Sequence, residues 1–168
     1  MFRGAQQAML LITVSVVLAI SAVPGRAQVN RRDILVGSWH IATYDLEFQD
    51  TGERRPTLGA RPNGYIVFLP NGRMMAYLEA EGRTAPQTDA ERAAAYRTLS
   101  AYTGKYRVEG NKWITTVDAA WNVVWIGTSQ EREFALSGDD LTVVTQWNPN
   151  PLYVGRATRG RLTFKREP

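Results

Sequence analysis

From residue 35 onward the chain consists of short runs rich in β-branched and aromatic residues. Gly, Asn, Pro and Asp break these runs at roughly ten-residue intervals, which is the spacing of an all-β sandwich or barrel. The first run, LVGSWHIATYDLEF, ends in a loop dense in charge, Gly and Pro. Two more, GYIVFL and RMMAYL, flank Pro70-Asn71-Gly72. Asn-Gly tolerates the positive φ of a tight hairpin, so this is the clearest turn signal in the chain. Between Thr88 and Ala101 the apolar period changes. Thr88 and Glu91 have the spacing of a capping box, and the alanine-rich segment behind them reads as one helix over about 89–101. Runs at YRV and WITTV and over residues 130–136, 141–146 and 159–166 bring the total to about eight strands. Eight antiparallel strands in sequence order close most simply as an up-and-down barrel, whose interior is filled by side chains or holds one small ligand. The segment AAWNVVWIG fits either an aromatic loop or a short strand.

Residues 1–27 read as an address. Arg3 supplies a positive start, MLLITVSVVLAISAV an apolar stretch, and Pro24-Gly25-Arg26-Ala27 the small residues of a signal-peptidase site. The apolar run is shorter than the roughly 20 residues of a spanning helix, so the expectation is a cleaved signal peptide with no integral membrane segment afterwards and a secreted or periplasmic product. Residues 28–168 then form one domain. The chain has no cysteine, which removes disulfides, thiol chemistry and Cys-based metal sites. The formal charge of +4 becomes +2 when Arg3 and Arg26 leave with the signal, and the basic residues are scattered, so nucleic acid is not an expected partner.

Strand alternation assigns faces. Tyr102, Gly104, Tyr106 and Val108 share the inner face of one strand, and Phe134 and Leu136 that of another. Arg132 has the parity of Phe134, which puts a guanidinium among interior residues; it needs an aromatic face, a carboxylate or a bound anion. In the last strand Leu162 and Phe164 point in and Arg161 points out. Aromatic and Met side chains are numerous enough either to line a cavity or to fill a dry core. The weak catalytic candidates are Asp118, near Trp121 and Trp125 in sequence, and His40, which should face outward if its neighbour Trp39 faces in. One histidine makes no His-based metal site, so neither a metal nor a cofactor is expected.

Gly37-Ser38-Trp39 opens the first strand. It is followed in order by PNGYIVFLPNGRM from Pro62, Tyr102-x-Gly-x-Tyr106, Trp125-x-Gly-Thr128 and a closing Leu-Thr-Phe strand. The ordered set, covering roughly residues 33–166, resembles the bacterial and fungal lipocalin-like domain proteins. The resemblance implies a calycin-type β-barrel with an internal cavity for an apolar molecule. It implies that Gly37 and Trp39 close the barrel floor with an arginine stacked on the indole, for which Arg132 is the candidate. Tyr65, Met74, Tyr102, Tyr106, Trp121, Trp125, Arg132 and Phe134 are then the expected ligand contacts. Some fungal relatives are isomerases or cyclases, but where the family pattern often has a His in the strand around Trp113, this chain has Thr115 and Thr116. The expected function is an exported protein that binds a small hydrophobic ligand. Two alternatives stand beside it: an isomerase or cyclase using the same cavity, and a filled barrel acting as an interaction module.

Overall fold

The computed structural model describes residues 31–150 and 153–168; the expected signal peptide, residues 1–27, lies outside them. The strands are β1 (Gly37–Phe48), β2 (Arg54–Pro56), β3 (Asn63–Phe68), β4 (Arg73–Glu79), β5 (Leu99–Glu109), β6 (Lys112–Ala120), β7 (Ser129–Ser137), β8 (Asp140–Thr145), β9 (Asn148–Pro149) and β10 (Ala157–Arg166). One helix, α1 (Asp89–Arg97), and a 3-10 turn, Val123–Trp125, complete the elements. Each long strand pairs antiparallel with its successor, and β1 pairs along its length with β10, from Trp39↔Arg166 to Phe48↔Thr158, which closes the sheet. Eight strands make the barrel. The short β2 and β9 extend its seam by pairing with the upper ends of β1 and β10, beyond the reach of β3 and β8.

The two-residue period carries the core. Ile66 and Phe68 on β3, Met74, Ala76 and Leu78 on β4, Trp113 on β6, Phe134 on β7, Leu141 and Val143 on β8, and Leu162 and Phe164 on β10 are all buried in one cluster. Full burial of each large member is worth about 1.5 to 3 kcal/mol. The β3–β4 hairpin turns at Pro70-Asn71-Gly72 as its sequence requires, with Gly72 at φ 81°. The capping box is present as well: Glu91 N donates to Thr88 Oγ1 at 3.2 Å and Thr88 N to Glu91 Oε2 at 3.1 Å.

The helix is shorter than the expected 89–101. It ends at Arg97, and Leu99 to Ala101 join β5, where they pair with Glu79 to Tyr77 of β4. Those backbone groups gain a complete ladder in the sheet, whereas α1 buries no side chain that would hold another turn.

Two bulges change which residues face inward. On β1 the register slips between Ile41 and Thr43, so Trp39 and Ile41 point in before the slip and Tyr44 packs against the core after it. On β6 the slip skips Asp118, since Thr103 pairs with Ala119 and Gly104 with Val117. Gly104 sits at this slip, close against β6; a Cβ there would lie 2.0 Å from the Thr116 carbonyl oxygen, so no larger residue fits.

Candidate functional site

The two ends of the barrel differ. At the lower end Trp39 is fully buried, and its Nε1 donates to the Leu35 carbonyl at 2.8 Å. The guanidinium that covers its ring belongs to Arg166, not to Arg132: Arg166 Cζ lies 4.0 Å from the ring centroid. Arg166 Nη1 and Nη2 donate to the carbonyls of Val36 (2.9 Å) and Ile34 (2.7 Å), which ties the last strand to the segment before the first. Trp39 and Arg166 face each other across the β1–β10 seam, a long-range pairing that no local pattern encodes. The glycine of Gly-x-Trp is required here. Gly37 has φ 134°, and a Cβ on it would stand 2.9 Å from Arg166 Nη1.

Above this plug the interior stays solid for another layer. Phe68 meets Tyr106 and Trp113 edge-on, at centroid separations of 5.0 and 5.2 Å, and Trp113 lies 5.9 Å from Phe134. Met74, Tyr106 and Phe134, expected as ligand contacts, are floor packing; Tyr106 is also covered by Arg32, 5.4 Å from its ring.

The upper interior is hollow. A cavity of about 40 Å³ is bounded by Tyr44, Tyr102, Trp113, Trp125 and Arg132, with Ser100 and Thr145 adding hydroxyls and Ile66, Ala76, Leu78, Val143 and Leu162 the apolar wall. That volume accommodates a few water molecules. Trp125 comes from the 3-10 turn between β6 and β7, which is pinned by Asn122 accepting from Val124 N and by Thr128 Oγ1 donating to the Trp125 carbonyl. Its indole meets Tyr102 edge-on at 5.4 Å and Trp121 at 4.9 Å. Beside it Val123, Val124 and Ile126 are exposed. Burial raises the Tyr44 phenol above its ordinary pKa, the nearby Arg132 charge partly offsets this, and Tyr102 adds to the rise. Tyr44 is therefore a neutral hydrogen-bond donor at physiological pH.

Other expected site residues lie outside the barrel. Tyr65 is 41% exposed and packs on His40 at 4.9 Å, because β3 alternates and Ile66 and Phe68 hold the inner face. His40 is hydrogen-bonded to Asn63 Oδ1 at 3.2 Å on the same outer surface. Asp118, the bulge residue, forms an ion pair with Arg73 at 2.8 Å and does not reach the cavity. Trp121 stacks on the outer Tyr96, whose hydroxyl donates to the Trp121 carbonyl. Of the expected ligand contacts, Tyr102, Trp125 and Arg132 line the cavity. Among the polar and aromatic lining residues, Tyr44, Ser100, Trp113 and Thr145 were not singled out by strand alternation. Three larger concavities, of about 410, 370 and 270 Å³, lie beside Arg61 and Glu79 to Arg83, on the outer face of β4–β6 and beside α1; all are open to solvent and none lies inside the barrel.

A family model described as "Lipocalin-like domain" matches residues 36–167. The chain belongs to the lipocalin-like domain family. No curated protein matches it. Among solved structures this lipocalin-like chain is similar to an uncharacterized protein from Bacteroides eggerthii DSM 20697. That likeness has 12% identity over 79% of this chain and 99% of the other, with a TM-score of 0.40. Among the described residues of the lipocalin-like barrel, no helix is long and apolar enough to cross a membrane, and no three His, Cys, Asp or Glu side chains cluster as metal ligands do.

Proposed function

We propose that this protein binds one small, mainly apolar molecule in the upper interior of its barrel. The observation that carries the reading is the asymmetry of the core: one end is plugged by Trp39 and Arg166, while the other holds a small, partly open space whose apolar wall carries a few convergent polar groups. The space in this state suits a few waters, so a ligand larger than that displaces Trp125 and the turn that carries it. The turn is short, buries no residue and leaves Val123, Val124 and Ile126 exposed, so it has little packing to lose in such a movement. Membership of the lipocalin-like family supports a small-ligand fold. The composition of residues 1–27 supports export, so the proposed place of action is the periplasm or the exterior.

Native mass spectrometry of protein purified gently from an exported fraction tests the reading, with a denatured control giving the bare chain mass. A reproducible excess mass that disappears on denaturation is the expected result. Bare mass in every preparation, with no uptake from added lipid extract, contradicts it.

A further inference from the structure

The lower plug is completed by Arg166, which frees Arg132 from the structural duty its inward parity suggested. Arg132 lines the cavity, and its described hydrogen bonds go only to its own strand: Nη1 to the Glu131 carbonyl at 2.8 Å and Nη2 to Gln130 Oε1 at 3.1 Å. These occupy part of a guanidinium's donor set. The adjacent carboxylate of Glu131 is directed to Lys112, at 2.6 Å, and no acidic residue lines the cavity. Among the described residues Arg132 forms no ion pair, although most other arginines of the barrel do. Three more donors line the same space: the Tyr44 and Tyr102 hydroxyls, and Trp113, whose buried Nε1 has no hydrogen-bond partner among the described residues.

We propose that the cavity is a head-group site for an anionic amphiphile, in which a carboxylate is held by Arg132 with Tyr44 and Tyr102 donating, while the apolar tail leaves past Trp125. The inference rests on the ligand-binding reading and narrows it to a chemical class. A space of about 40 Å³ matches a head group better than a whole lipid, and a lining with several donors and no carboxylate selects an acceptor-only group. The carboxylate supplies the counter-charge that the half-buried guanidinium lacks, which offsets the cost of partly desolvating a cation.

The test compares octanoate with 1-octanol by calorimetric titration, on the wild-type protein and on Arg132→Gln. The expected result is octanoate binding about tenfold or more tighter than octanol to the wild type, with the preference reduced to about twofold in the variant. Octanol binding as tightly as octanoate, or a preference that survives Arg132→Gln, overturns the anion site while ligand binding stands. Binding of neither overturns both. Should Arg132→Gln not fold, the wild-type comparison decides alone, and Tyr44→Phe, which removes one donor and keeps the ring, is expected to weaken octanoate selectively.

Discussion

Trp39 and Arg132 share an interior and have different surroundings. Trp39 is wholly enclosed, with its one polar atom satisfied and its face covered by Arg166, so its contribution is to stability. Trp39→Ala is expected to cost about 3 to 5 kcal/mol, as for other buried aromatics cut to Ala. Arg166→Gln loses the stacking and two carbonyl bonds, and is expected to cost about 1 to 3 kcal/mol. Urea denaturation of both variants checks the order; an Arg166→Gln protein as stable as wild type would contradict the plug. At this scale the sequence was half legible. Gly37 and Trp39 were assigned to the floor through the resemblance to lipocalin-like proteins, whose Gly-x-Trp lies within one short stretch of sequence. The arginine that covers Trp39 comes from the other end of the chain, and Arg132 and Arg166 both have inward parity, so spacing could not choose between them. Tyr44 was hidden for another reason: counting by twos from Trp39 puts it outside, and only the bulge before Thr43 turns it in.

Among elements, the β1–β10 seam decides whether the barrel closes. Its upper half is held on the outside by Glu47, which is buried and accepts from Arg159 at 2.6 Å and Arg161 at 3.3 Å, with Arg54 of β2 at 3.9 Å. The Arg159 hydrogen bond, with Arg161 adding to it, keeps the Glu47 carboxyl below the usual glutamate range against the opposing effect of desolvation. A lowered folded-state pKa gives stability that is fully present above the unfolded glutamate value and is lost as pH falls through the folded one. Glu47→Gln is therefore expected to be less stable than wild type at neutral pH, and the gap should close as the pH is lowered below the ordinary glutamate range. Denaturation midpoints of the pair measured across that range check this; a gap independent of pH would assign the Glu47 effect to packing. The strands themselves were readable from alternation and turn residues, and so was the start of α1, from Thr88 and Glu91. The end of α1 was not, because Leu99 to Ala101 suit a helix locally and are taken by the β4 ladder.

In the whole molecule, one barrel is divided into a plugged lower half and a hollow upper half. The division is visible in where its five tryptophans fall. Trp39 belongs to the plug, Trp113 spans the solid layer and the cavity wall, and Trp125 closes the top. Trp121 stacks with Tyr96 on the outside, and Trp147 lies under Arg159 at 4.3 Å. The measurement that tests this division most directly is fluorine NMR of the protein labelled with 5-fluorotryptophan, its resonances assigned by single Trp→Phe replacements and titrated with octanoate. The Trp125 and Trp113 signals should shift with a common binding curve while Trp39 and Trp147 stay in place. Shifts confined to Trp147 or Trp121 with Trp125 unmoved would put the ligand on the outer surface, and a shift led by Trp39 would mean that the lower end opens; either result contradicts the division.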